Sequence, residues 1–141
     1  MNEIVKEALS WENTPYHHKA CVKGVGVDCA MLVLGIAKNT NLVDKSKPAP
    51  EYSTQWHLHN REEKLLGVLA DFGCEEINTK NMQPGDIVTF QFGRVTSHSG
   101  IVLENNQMIH AHQEVGKVVI NDISGDWLKR LTHCYKFPNG V

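Results

Sequence analysis

Cys29 follows Asp28 at the head of an apolar run, Cys29, Leu32, Val33, Ile36 and Ala37, whose spacing is that of one helix face. A cysteine in the first turn of a helix meets backbone N–H groups without intrahelical partners and the positive end of the macrodipole. Both favour an anion, so the placement is expected to draw the thiol below its usual value of about 8.5 and supply a thiolate nucleophile. The loop before it carries Gly24 and Gly26, which leave room for a substrate to approach the sulfur. A small thiol buried as a hydrophobe is the competing reading of the same position.

A thiol nucleophile needs a base, and imidazole titrates in the right range. Ser97-His98-Ser99-Gly100-Ile101-Val102-Leu103 puts a histidine at the opening of an apolar strand. A base of this kind usually needs a third group to fix its tautomer and orientation. Met108-Ile109-His110-Ala111-His112 offers His110 for that role, with His112 on the same side of its strand as a rival. Tyr16, thirteen residues before Cys29, carries a hydroxyl able to donate to a developing oxyanion beside the Cys29 N–H. Each of these side chains also has a plain structural reading, as a half-exposed strand histidine or a packed tyrosine.

The elements that must position them follow from period and breakers. Residues 2–11 read as an amphipathic helix stopped by Asn13-Thr14-Pro15, and 17–27 as a loop. Asp28 is well placed as N-cap of the next helix, which Asn39 and Asn41 end. A connector at 44–54 holds two prolines, and a helix from about Asn60 to Phe72 follows, with Gly73 as its stop. Beyond the Pro84-Gly85-Asp86 turn the period becomes alternating, and IVTFQF, SHSGIVL, QMIHAH, KVVINDI and HCYKF read as five strands. Helices first and strands afterwards predict an α+β fold, helices packed on an antiparallel sheet, in one domain spanning 1–141. His98 and His110 can cooperate only from one face of that sheet. A three-residue turn, Glu104-Asn105-Asn106, satisfies this by pairing Leu103 with Gln107 and Gly100 with His110, both histidines then facing the start of the Cys29 helix. A two-residue turn would put the rings on opposite faces.

Composition narrows the field. A net charge of −2 over 141 residues provides no broad basic face, which argues against a nucleic-acid partner. No stretch approaches the ~18 apolar residues of a membrane span. The start, MNEIVKEALSW, lacks the features of a signal peptide, so synthesis in a reducing cytoplasm is expected, with Cys21, Cys29, Cys74 and Cys134 as free thiols.

The run SWENTPYHHKACVKGVGVDCAMLVLGIA, then MQPGDIVTF, then SHSGIVLENNQMIHAH, resembles the NlpC-type cell-wall cysteine peptidases, and in particular their short, phage-associated branch. The resemblance spans about residues 8–122. It implies a papain-like fold and hydrolysis of peptidoglycan stem peptides between D-glutamate, through its γ-carboxyl, and a diamino acid. On the matching positions it implies Cys29 as nucleophile, His98 as base, His110 as third polar residue and Tyr16 beside the oxyanion site. Asp28 matches the acid before the nucleophile and, with Ser97, is expected near bound substrate. No metal or organic cofactor is implied. Where relatives often continue Asp-Cys with Ser-Gly, this chain has Ala30 and Met31, which removes one hydroxyl that can hold the substrate's amino end. The sequence shows no wall-binding module, so recruitment is expected through a partner such as a phage tail structure, or through the stem peptide itself, with a virion or the cell wall as destination. Three further readings stand beside this one. An acyltransferase could use the same cysteine and histidine, a metal site could form from the His57/His59 and His110/His112 pairs with cysteines, and an inactive domain could serve tail assembly.

Overall fold

The computed structural model describes residues 2–46 and 64–138. Helix α1 (Glu3–Leu9) starts at Asn2, whose side-chain oxygen accepts from the Ile4 and Val5 N–H groups. A short hairpin, β1 (Cys21–Val22) and β2 (Gly26–Val27), leads into α2 (Cys29–Asn39). Helix α3 (Lys64–Asp71) is followed by β3 (Glu75–Ile77), β4 (Ile87–Phe92), β5 (Val95–Val102), β6 (Gln107–His112) and β7 (Lys117–Asp122). Helix α4 (Gly125–Arg130) and β8 (Leu131–Lys136) complete the fold.

Six strands form one antiparallel sheet in the order β3-β8-β4-β5-β6-β7. The expected α+β arrangement is therefore present, and the five expected strands lie at or near their expected positions. Two elements go beyond the sequence pattern: β3, a three-residue edge strand whose Glu75-Glu76 carries no apolar alternation, and α4, a single short helix inside a polar turn. The segment before Asp28, expected as a loop, contains the β1–β2 pair, too short for a periodic signal. The part of the Asn60–Phe72 helix that precedes residue 64 lies outside the described residues.

Alternation along the strands divides the apolar residues between the two sheet faces. Ile87, Ile101, Ile109, Ala111 and Val118 pack with α1, α2 and α3 in the main core. Val88, Phe90, Val102, Met108 and Cys134 form a second cluster, joined by Trp127 of α4. Helix α2 is buried on all sides from Cys29 to Ala37, so its hydrophobic stripe extends right around the helix. Gly35 makes that burial workable: a Cβ there would lie 2.6 Å from the Trp11 ring, which is itself 2% exposed.

Candidate active site

Asp28 begins α2 as the expected N-cap. Its Oδ1 accepts from the Met31 N–H at 2.9 Å, and its Oδ2 accepts from the Lys19 N–H at 2.8 Å. With both oxygens engaged and the residue 2% exposed, the carboxylate ties the 17–19 loop to the helix start and does not line an open surface. Cys29 is 7% exposed, and its thiol donates to the Ser97 carbonyl oxygen at 3.7 Å. The Ser99 hydroxyl donates to the Cys29 carbonyl at 3.2 Å and so clamps the first turn of α2 to β5.

The thiol is not depressed, contrary to the expectation from its place on the helix. Burial first, and then the Asp28 charge, push it up to about 12, against the Ser99 hydroxyl and the Ser99 and Ala30 N–H groups that favour the thiolate. The reason is physical. Removing water from a thiolate costs more than the helix N-terminus returns here, and the acid that caps the helix is itself an adjacent negative charge.

His98 stands at the adjoining position on β5. The β5–β6 register pairs Ile101 with Ile109 and Val102 with Met108, and Leu103 N–H donates to the Gln107 carbonyl. The connection is the three-residue Glu104–Asn106 turn, with Asn105 and Asn106 at φ 59° and 58°, the left-handed conformation that asparagine tolerates. His98 and His110 consequently leave the same face, and their Nε2 and Nδ1 atoms are hydrogen-bonded at 2.8 Å. His110 is fully buried, and its Nε2 meets Asn121 Oδ1 at 2.7 Å. The rival, His112, has its ring centroid 6.4 Å from that of His98, and its buried Nδ1 has no hydrogen-bond partner among the described residues. His110, not His112, thus holds the His98 ring.

Gly100 explains the spacing between the two histidines. It lies opposite His110, and a Cβ there would come within 3.2 Å of the His110 Cβ and of the Ile109 carbonyl oxygen. The missing side chain lets the His110 ring lie across β5 towards His98. Burial, followed by the neighbouring His110 and His112, holds His98 well below the usual imidazole value. Burial likewise takes His110 down to about 4, with the Asn121 bond pulling the other way. The resting pair is therefore neutral thiol and neutral imidazole.

The His98 and His110 rings share the sheet face of Val102 and Met108 and not, as expected for them, the face of Ile101 and Ile109 on which α2 packs. Cys29 meets β5 at the Ser97 carbonyl and the Ser99 hydroxyl. The sulfur lies against the Ser97 carbonyl, one residue along the chain from His98. Beside it, Tyr16 is fixed by a bridge to Val27 and by its N–H bond to the Gly116 carbonyl. Burial first, then Cys29 once it ionises and the Asp28 charge, raise the Tyr16 hydroxyl well above its usual value, so it stays a protonated donor near the sulfur.

Three contributors emit too weak a sequence signal to be singled out. Ser99 is a buried serine in an apolar strand, a detectable but unspecific signal. Asn121 is the lone amide in KVVIND and lies on the same face as His110. Trp127 packs its ring at 4.8 Å from His110, 5.5 Å from His98 and 5.4 Å from His112, covering the three imidazoles from α4. His57 and His59 lie outside the described residues. Among the described residues no cluster of three His, Cys, Asp or Glu side chains is placed to hold a metal ion, and no helix is long and apolar enough to cross a membrane.

The sequence pattern of the NlpC/P60 family matches residues 13–136, from ahead of Tyr16 to the last strand. The chain belongs to the NlpC/P60 family. A murein DD-endopeptidase MepS/murein LD-carboxypeptidase of Escherichia coli K12 is 32% identical over 129 residues, 92% of this chain. The chain spans 58% of the length of that relative. Among solved structures, an NLP/P60-family lipoprotein-like protein of Staphylococcus aureus aligns over 97% of this chain and 41% of its own, with a TM-score of 0.67 at 21% identity. The peptidoglycan hydrolase RipB of Mycobacterium tuberculosis aligns over 95% of this chain and 62% of its own, with a TM-score of 0.63 at 19% identity. The two structures show that the NlpC/P60 fold is shared.

Proposed function

We propose that this NlpC/P60 domain is a cysteine peptidase that hydrolyses amide bonds in peptidoglycan stem peptides, with Cys29 as nucleophile, His98 as base and His110 as its orienter. The observation that carries the reading is the 2.8 Å bond between His98 and His110, one residue along β5 from the carbonyl that receives the Cys29 thiol. Family membership and the similarity to a murein endopeptidase support the choice of substrate.

From the neutral pair, the thiol turns from the Ser97 carbonyl towards His98, whose Nδ1 takes the proton as sulfur attacks the amide carbon. The S–C bond forms, and the oxyanion is held by the Cys29 N–H and the Tyr16 hydroxyl. His98 then returns the proton to the amide nitrogen as the C–N bond breaks and the amine leaves. Water gives a proton to the same imidazole, attacks the thioester and releases the acid and the Cys29 thiol. A buried neutral pair suits this cycle, because a base kept from protonating is available over a wide pH range.

The bond proposed for cleavage joins D-glutamate, through its γ-carboxyl, to a diamino acid. Ser97, half-buried next to the sulfur, is assigned to substrate contact, and Asp28 to shaping that contact through the 17–19 loop. The setting proposed is a phage tail or prophage component acting on the wall. Incubation with L-alanyl-γ-D-glutamyl-diamino acid peptides, read by mass, tests the reaction. Two fragments whose masses sum to the peptide plus one water support it. An intact peptide, or transfer of the acyl group to an added amine in place of water, overturns it.

A further inference from the structure

The hydrogen-bonded chain does not stop at the second histidine. Within the β6–β7 ladder His110 pairs with Val119 and Met108 with Asn121, so Asn121 is the diagonal neighbour of His110 on one face. The β5–β6 register sets His98 diagonal to His110 in the same manner. A single line of polar side chains therefore crosses three adjacent strands: His98 Nε2 to His110 Nδ1 at 2.8 Å, then His110 Nε2 to Asn121 Oδ1 at 2.7 Å. Trp127 packs its ring against both imidazoles of that line.

A neutral imidazole has one N–H and one lone pair, so each bond dictates the next. Asn121 Oδ1 only accepts. His110 must therefore carry its proton on Nε2 and present a bare Nδ1. His98 must then donate from Nε2 to that atom, which leaves its own Nδ1 bare. Were the amide reversed, its NH₂ would donate to His110, both imidazoles would switch, and the His98 Nδ1 would carry a proton. A base with that nitrogen already protonated could not accept the thiol proton there.

We propose that Asn121 is a positioning residue that sets the tautomers of His110 and His98 and so keeps the His98 Nδ1 lone pair available to Cys29. The tautomer assignment rests on the hydrogen-bond geometry, whereas its catalytic consequence rests on the Cys29–His98 reading above.

The test uses the full chain in three forms: wild type, Asn121→Asp and Asn121→Leu. Imidazole ¹⁵N spectra at neutral pH report tautomers without reference to turnover. The wild type should show His98 and His110 with their protons on Nε2. Asn121→Asp retains an acceptor that cannot be reversed, so it should keep those tautomers and most of kcat, while the carboxylate moves the acid limb of the kcat/KM profile to higher pH. Asn121→Leu should show Nδ1-protonated histidine at His110 and His98 and lower kcat about 10- to 100-fold with KM little changed, the range for losing a partner behind an essential ligand or base. Wild-type tautomers in Asn121→Leu, or an Asn121→Asp protein as impaired as Asn121→Leu, would overturn the proposal. A wild type with these tautomers but no stem-peptide cleavage would instead defeat the functional reading and leave the assignment of Asn121 intact.

Discussion

Acid should destabilise this domain through His110 in a predictable amount. The ring is fully buried and its folded value is about 4, against about 6.5 in an unfolded chain. A base whose value falls on folding contributes stability that is fully present above pH 6.5 and is lost as pH drops through 4, because the unfolded chain takes up the proton first. For one such group the loss is about 2 kcal/mol at pH 5 and about 3 kcal/mol at pH 4. His98 shifts in the same direction and adds to the total, so the His110 share has to be isolated. His110→Gln keeps hydrogen-bonding capacity and cannot titrate. Urea unfolding of both proteins at pH 7, 5 and 4 gives the comparison, with m-values checked for constancy. The wild type should lose about 2 kcal/mol more than the variant between pH 7 and pH 5. Parallel losses in the two proteins would show that His110 is not held neutral by burial, and the reasoning about the resting pair would fail with it.

Three further outcomes follow from the site. Because His98 is held neutral to well below 6.5, the acid limb of kcat/KM should lie below that value, and a limb at or above 6.5 would contradict the burial argument. Gly100→Ala places a methyl 3.1 Å from Met108 Sδ and 3.2 Å from His110 Cβ. It should therefore cost about 1–3 kcal/mol in unfolding experiments and reduce kcat by displacing the His110 ring, whereas a fully active, equally stable variant would remove the stated reason for that glycine. Tyr16→Phe should lower kcat on the order of 10²-fold with little change in KM if the hydroxyl holds the oxyanion, and unchanged kcat would exclude it from that role.

How much of the site is legible in the sequence depends on the kind of signal each part emits. The α2 start is readable because N-cap chemistry is local: Asp28 accepts from the Met31 N–H as its place before an apolar periodic run implies. The shared face of His98 and His110 is also readable, since side-chain alternation and an asparagine-rich turn of odd length leave one parity. The state of the thiol is not. A position on a helix points to stabilisation of an anion, but whether burial outweighs that depends on how tertiary packing encloses the sulfur, which no local pattern reveals. The choice of His110 over His112 also needs coordinates, because the directly opposed and the diagonal neighbour satisfy the same parity. Asn121 and Trp127 come from segments whose patterns read as an ordinary strand and a polar turn, and only the sheet order brings them to the histidines. Gly100 sits between these cases: visible as part of a motif, but explained only by the methyl it excludes.

The central claim is that Cys29 performs the attack, and turnover by Cys29→Ala tests it most directly. The variant removes one buried sulfur and leaves the Ser99 clamp, the histidine pair and Tyr16 in place, so its unfolding midpoint should remain close to that of the wild type. On a γ-D-glutamyl-diamino acid peptide that the wild type cleaves, the folded variant should yield no product above the enzyme-free control. Product formed by Cys29→Ala at a rate within about tenfold of wild type would mean that the nucleophile is elsewhere, an effect far smaller than loss of a covalent nucleophile produces.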